Sequence, residues 1–187
     1  MAGNVCPFWV GYLLCCPIRR LWHNPDKILG PYICEGMKVL DIGSAMGFFS
    51  LPMARMVGPK GKVICIDVQE RMLSSLLRRT QRAGLHERIE TRVCSKNSFC
   101  LEDIEEEIDF ALAFAVVHEV PDCLPFFSQV YRTLRPAGKL LLAESKGRVS
   151  GNDFQKTISA AQVKGLEVTA TPHIRSARAV LLHKPGR

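Results

Sequence analysis

Two apolar runs, Val39-Leu40-Asp41-Ile42 and Lys62-Val63-Ile64-Cys65-Ile66-Asp67, open the periodic part of the chain. Short, near-continuous and bounded by glycines and charges, they predict strands buried on both faces. Between them Phe48 to Val57 reads as a helix, with Pro52 near its first turn, where a missing amide donor is tolerated. Gly58-Pro59-Lys60-Gly61 ends that helix and turns the chain into the second strand. Glu70 to Ala83 then places Met72, Leu73, Leu76 and Leu77 on one helical face and Arg71, Arg78, Arg79 and Arg82 on the other. Gly84 caps it.

The alternation continues. A strand is expected near Ile89 to Cys94, followed by a loop with Lys96 and Asn97, and a fully buried strand over Asp109 to Val117. After Pro121-Asp122 a helix from about Leu124 to Leu134 stops at Arg135-Pro136. Lys139 to Ala143 is a fifth strand, Asp153 to Lys164 a helix, and Leu166 to Ala170 and Ala179 to His183 two terminal strands. Strand and helix taken in turn predict an α/β, doubly wound sheet. No internal repeat or low-complexity linker divides it, so a single domain is expected.

Chemistry enters at the first strand. Val39-Leu40-Asp41-Ile42-Gly43-Ser44-Ala45-Met46-Gly47 runs from strand into a tight glycine turn, and Asp67 closes the second strand twenty residues beyond Gly47. Strand, glycine turn, helix, strand, acid is the frame of a nucleotide-type cofactor site, where glycines admit the ligand to the backbone and the acid binds ribose hydroxyls. A dinucleotide fingerprint would need glycine at Gly43, Ala45 and Phe48, and two of the three fail. What the strand carries instead is Asp41, two residues before the turn. A carboxylate there is ill placed beside a pyrophosphate but suits a ligand with cationic groups, such as the sulfonium and ammonium of S-adenosylmethionine.

The segment Asp41-Ile42-Gly43-Ser44-Ala45-Met46-Gly47 resembles the first motif of class I S-adenosylmethionine-dependent methyltransferases, with Ala45 in the middle glycine's place. The stretch from Asp109 through Val117-His118-Glu119-Val120-Pro121-Asp122 resembles the fourth-strand motif of the ubiquinone-biosynthesis-type and related small-molecule methyltransferases. Leu134-Arg135-Pro136-Ala137-Gly138-Lys139, followed by Leu140-Leu141-Leu142, is similar to their turn into the fifth strand. The resemblance covers roughly Gly36 to Glu144 and implies a seven-stranded, mostly parallel, Rossmann-like methyltransferase sheet over 36–187, with 1–35 as an N-terminal lid.

Carried over residue by residue, the resemblance implies a cofactor, S-adenosylmethionine, leaving as S-adenosylhomocysteine. Asp41 would orient the methionine moiety, and the backbone of Gly43, Ser44, Ala45, Met46 and Gly47, with Phe48 beyond, would wrap it. Asp67 would accept from both ribose hydroxyls, with Val68, Gln69 and Met72 beside the adenine. Cys94 and Ser95 occupy the place of the family's adenine-binding acid, and the Ser95 hydroxyl can accept a hydrogen bond there. Ala113 and Phe114 would approach the methionine ammonium, and Tyr32 the methionine carboxylate. His118 is the candidate catalytic base, because imidazole titrates near working pH. It is equally readable as a strand-end residue shaping the pocket wall, and Glu119 as solvated or ion-paired.

Composition fits this reading. The chain has 187 residues, 47% apolar and 23% charged, which is enough for one domain with a real core. Its eight cysteines form no Cys-x-x-Cys pair, so no metal site is expected and reduced thiols in a cytoplasmic protein are the simpler reading. Cys6, Cys15, Cys16 and Cys34 invite comparison with arsenite methyltransferases, but their spacing does not match that pattern.

The net charge of +7 raises a nucleic-acid partner. The basic residues are spread along the chain, densest on the outer face of the second helix, and Ala113-Phe114-Ala115-Val116 stands where base-modifying enzymes carry a proline-rich motif. Pro7 to Ile18, with Phe8, Trp9, Tyr12, Leu13 and Leu14, falls short of the ~20 residues a membrane span needs and lacks a secretory signal's flanks. A lid over the cofactor pocket is favoured there over a membrane-surface element. The expected activity is therefore methyl transfer by in-line displacement to a small or medium-sized, partly apolar acceptor. The alternatives are a nucleic-acid methyltransferase and a non-catalytic S-adenosylmethionine-binding protein.

Overall fold

Strand β1 (Lys38–Ile42) forms the middle of the sheet because each of its residues after Lys38 is buried on one face or the other. In this computed structural model, which describes Trp9, Gly11, residues 17–95 and residues 99–186, it pairs in parallel with β2 (Lys62–Asp67) on one side and β4 (Ile108–Phe114) on the other. β3 (Ile89–Val93) extends the sheet beyond β2, and β5 (Leu134–Ser145) beyond β4, both parallel. β7 (Ala177–His183) lies antiparallel between β5 and β6 (Glu167–Ala170). The order β3-β2-β1-β4-β5-β7-β6 gives the expected seven-stranded, mostly parallel, doubly wound α/β sheet.

Helices cover both faces. α1 (Pro25–Leu29), α2 (Ser50–Met56) and α3 (Glu70–Arg82) pack Leu29, Met53, Ala54, Leu73 and Leu76 against Val39, Val63, Cys65 and Phe110. α4 (Cys123–Thr133) and α5 (Gly151–Val163) bring Phe126, Phe127, Val130 and Ile158 to the other face, against Ile42, Ile64, Ile66 and Leu142. The alternation along β2 explains this division, since Val63 and Cys65 point one way and Ile64 and Ile66 the other. Phe110, Phe126 and Phe127 are fully buried side chains, each worth about 1.5–3 kcal/mol of transfer free energy.

Two boundaries differ from expectation in ways that shape the site. β4 ends at Phe114 instead of Val117, because Ala115 takes a left-handed φ of +55°, and a 3₁₀ turn follows at Val117–Glu119. β5 begins at Leu134 instead of Lys139. Leu134 pairs with Ile108 and Lys139 with Phe110, so Arg135–Gly138 loops out of register, with Ala137 at φ +64°.

The strand order reverses at β1, where β2 lies to one side and β4 to the other. In such sheets the crevice beyond the carboxyl ends of the strands at the switch point is the ligand site.

Candidate cofactor and acceptor cleft

Asp41 stands one residue before the end of β1 and is 3% exposed. Its Oδ2 accepts a hydrogen bond from Ser50 Oγ at 2.5 Å. Burial pushes its carboxyl up to about 7, with the nearby Asp67 charge adding to the effect and the Ser50 bond opposing it. The turn that follows needs left-handed backbone at Gly43 (φ +70°), Ala45 (+47°) and Gly47 (+84°). At Gly43 a Cβ would come within 2.6 Å of Val116 Cγ2, so glycine there also lets the end of β4 close against the turn.

Asp67 ends β2 facing this turn. Its Oδ2 accepts from the Ala45 N–H at 2.9 Å and its Oδ1 from the Gln69 N–H at 2.8 Å. Burial raises its pKa and these backbone bonds oppose the rise. The Val68 N–H is a third backbone donor to this carboxylate, which lines the cleft and keeps acceptor capacity for a ribose hydroxyl.

One cleft gathers most of the expected positions. Asp41, Gly43, Ser44, Ala45 and Phe48 line it from β1 and the turn, and Asp67, Val68, Gln69 and Met72 from β2 and the start of α3. Cys94, Ser95 and Phe114 complete the set. Burial pushes the Cys94 thiol up to about 12, so it faces the cleft as a neutral thiol.

Four expected cofactor residues do not line the cleft. Met46 is buried, and its carbonyl accepts from the Arg79 guanidinium. A Cβ on Gly47 would meet Leu51 and Leu76, so this glycine serves the packing of the turn on α2 and α3. Ala113 lies inside the sheet, paired with Ile42 and Leu142. Tyr32 is the clearest correction. Its ring stacks on Phe110 at 5.7 Å and 8°, and Phe110 pairs with Val39 near the start of β1, so Tyr32 sits at the end of the sheet away from the cleft.

Among the described residues, the cation that enters the cleft is Arg19, from the 3₁₀ turn Pro17–Leu21. Its guanidinium lies 4.3 Å from the Phe48 ring centre and within 6 Å of those of Phe49 and Phe114. His23 follows, edge-on to Phe114 at 5.1 Å, and its Nε2–H donates to the Arg175 carbonyl at 2.9 Å. A Cβ on the buried Gly11 would touch Met72 and Met46. Cys6, Phe8, Tyr12, Leu13, Leu14, Cys15, Cys16, Lys96 and Asn97, singled out in the sequence, lie outside the described residues.

The turn after β4 supplies the rest of the cleft wall. Val116, Glu119, Val120 and Pro121 line it, together with Phe99. His118 sits behind them: Glu119 faces the cleft, while the His118 ring turns to Glu144 at the end of β5, with Nδ1 2.8 Å from Oε2. That bond is the main cause of a raised His118 pKa, and burial raises that of Glu119.

Sequence reasoning missed Arg19 and Glu144. The signal that could have found Glu144 is a charge terminating the apolar run Leu140–Ala143, on the strand next to β4. Among the described residues, no group of three or more His, Cys, Asp or Glu is placed to hold a metal ion, and no helix is long and apolar enough to cross a membrane.

A buried acid on the first strand, a left-handed turn and a second acid at the end of the next strand define the cofactor cleft of a class I methyltransferase. The chain belongs to the methyltransferase domain family, whose profile matches residues 33–175. It is 32% identical over 148 residues to the human mitochondrial ubiquinone biosynthesis O-methyltransferase, covering 76% of this chain and 38% of that protein. It is 30% identical over 112 residues to the arsenite methyltransferase of Halobacterium salinarum, covering 60% of this chain and 28% of that one. The chain thus spans less than half the length of these two curated relatives. A crystal structure of a SAM-dependent methyltransferase from Aquifex aeolicus shares the fold, with a TM-score of 0.85 at 24% identity over 96% of this chain and 99% of that one.

Proposed function

We propose that the protein transfers a methyl group from S-adenosylmethionine to a small or medium-sized, partly apolar acceptor by in-line displacement. The observation that carries this is the convergence of Asp41, the Gly43–Gly47 turn and Asp67 on one cleft at the switch point of the sheet. Asp41 suits the cofactor on physical grounds, because a buried carboxylate held near neutrality gains most from a cationic ligand. Bound S-adenosylmethionine supplies a methyl group on a sulfonium, which is already a good leaving group.

The chain's own residues then have these tasks. Asp41 orients the cationic methionine end, and the backbone of Gly43, Ser44 and Ala45 wraps it, with Met46 and Gly47 holding the turn from beneath. Asp67 accepts from the ribose hydroxyls through its remaining acceptor capacity. Val68, Gln69 and Met72 flank the adenine, and Cys94 and Ser95 meet its edge. Phe48 and Phe114 wall the methionine end, and Ala113 sets the end of β4 beside it. Arg19, rather than Tyr32, faces the cofactor carboxylate. Gly11, Arg19 and His23 belong to a lid formed by 1–35 over the domain 36–187. His118 and Glu119 serve the acceptor's proton. Alignment of acceptor and methyl in such a cleft is worth about 7–11 kcal/mol.

The relatives support a small-molecule acceptor, since one is named for a ubiquinone-pathway O-methylation and the other for arsenite. The apolar wall of Val116, Val120 and Pro121 suits a partly apolar one. Calorimetric titration with S-adenosylmethionine and S-adenosylhomocysteine tests the reading. Micromolar binding by the wild type, lost in Asp67→Ala, is expected; a wild type that binds neither ligand refutes it.

A further inference from the structure

We infer that Glu119, His118 and Glu144 form a proton relay at the acceptor end of the cleft, with Glu119 as its cleft-facing base and the other two as positioning residues. The inference rests on the methyl-transfer reading and specifies how its acceptor is deprotonated.

Glu144 is 1% exposed and fully engaged. Its Oε1 accepts from the backbone N–H groups of Val117 at 2.8 Å and His118 at 3.2 Å, while Oε2 lies 2.8 Å from His118 Nδ1. An ionised carboxylate only accepts, so Nδ1 carries the hydrogen and the neutral ring presents a bare Nε2. That Nε2 is buried and has no hydrogen-bond partner among the described residues. Buried polar atoms are rarely left so. The group facing it is Glu119, whose Oε1 lies 3.9 Å away. Glu119 lines the cleft and His118 does not.

One strand thus holds a buried carboxylate that fixes an imidazole, and the imidazole's free nitrogen faces the acid that meets the acceptor. The other charges around the relay are Arg148, which acts on both His118 and Glu119, and Asp67, which acts on Glu119 from across the cleft. The Glu144 bond makes His118 a stronger proton acceptor, and burial brings Glu119 up toward it.

The step balances. The acceptor X–H gives its proton to the Glu119 carboxylate, and its lone pair forms the X–C bond to the methyl carbon. The C–S bond breaks with its electron pair remaining on sulfur as the thioether of S-adenosylhomocysteine. Glu119 hands the proton to His118 Nε2, Glu144 stabilises the imidazolium, and the proton returns to water through Glu119 and the cleft once the product has left. One proton is released per methyl transferred.

The test is imidazole nitrogen NMR on the full chain with S-adenosylhomocysteine, across pH, for wild type, Glu119→Gln and Glu144→Gln, with His118→Gln assigning the signal. Neutral His118 protonated on Nδ1, with a titration midpoint that falls in both Glu variants, is the expected result. A neutral ring protonated on Nε2, or a midpoint indifferent to Glu119→Gln, overturns the relay. Single-turnover transfer from S-adenosylmethionine to para-cresol and benzyl mercaptan, which stay protonated across the pH range of the His118 titration, adds the rate. Wild-type rate is expected to rise with pH through the NMR midpoint, and in Glu144→Gln that limb moves to lower pH with the midpoint. Glu119→Gln is expected to lower kcat about a hundredfold while KM and cofactor Kd stay within about twofold, and Glu119→Asp to recover part of the loss. A rate that is flat with pH, or a loss in Glu119→Gln confined to KM, counts against the relay. A wild type that binds the cofactor but methylates neither probe refutes a phenol or thiol acceptor, and the NMR titration then judges the relay by itself.

Discussion

Ligand binding at Asp41 should release a proton. Burial lifts this carboxyl from 3.8 to about 7, so ionising it in the ligand-free protein costs about 4 kcal/mol relative to the unfolded chain. The sign follows from linkage. The folded state holds this proton more tightly than the unfolded state, so the contribution is fully present below the unfolded pKa. It is lost as pH rises through about 7, and the ligand-free protein loses up to about 4 kcal/mol of stability from this group between roughly pH 4 and pH 7.

A cationic ligand beside Asp41 restores the ordinary acidity, and the proton must leave. At pH 6 about nine-tenths of the ligand-free molecules hold it, so binding should release about 0.9 proton and affinity should strengthen about tenfold between pH 6 and pH 8. Calorimetry in two buffers of different ionisation enthalpy measures the release directly. Asp41→Asn is the control, because the ligand's own ammonium titrates equally in both proteins and only the difference belongs to Asp41. Equal proton release and equal pH dependence in wild type and Asp41→Asn would mean that Asp41 is already ionised without ligand, and the account of the site as a cation trap would be wrong.

Ala45→Gly should raise thermal stability by up to about 1 kcal/mol, because glycine adopts φ +47° without the penalty that alanine incurs; a falling Tm would refute the idea that this turn is strained. Gly43→Ala should cost about 1–3 kcal/mol and weaken cofactor binding, with Val116→Ala recovering the steric part but not the backbone part, as read by denaturant unfolding of the single and double variants. Glu144→Ala strands two buried N–H groups and one imidazole, and should cost about 3–5 kcal/mol. The His118 share of that cost is fully present below pH 6.5 and fades as pH rises through the raised folded value, so unfolding at acidic and alkaline pH should show the variant's deficit narrowing.

What the sequence disclosed is what local pattern determines. β1, the turn and β2 with Asp67 are each specified by neighbours a few residues apart, and the apolar alternation assigns their faces without reference to the rest of the chain. The cleft wall after β4 failed that test because period-two reasoning was carried past the end of that strand. A strand continued to Val117 gives no reason to prefer Glu119 over His118 at the pocket wall. The left-handed Ala115 and the 3₁₀ turn at Val117–Glu119 replace the strand's two-residue repeat with a three-residue one, turning Glu119 to the cleft and His118 to Glu144. Tyr32 failed for a related reason: the path of the chain after α1 decides which end of the sheet it meets, and only its stacking on Phe110 fixes that.

The same turn explains the chemistry. Ending β4 early opens the space in which Val116 closes against Gly43, and so joins the wall formed by Val116, Glu119 and Val120 to the glycine turn. Asp41 and Asp67 approach that junction from one side, and Glu119, with His118 and Glu144 behind it, from the other. Burial, the leading cause for each of the three acids Asp41, Asp67 and Glu119, leaves them holding protons more firmly than carboxylates in water do. A cofactor that arrives with positive charge and leaves without its sulfonium charge therefore reverses the proton demand of the cleft within one turnover. Uptake and release at Asp41 and Glu119 should accordingly alternate with the state of the cofactor, and on the proposed relay His118 holds the second of these protons until the product leaves.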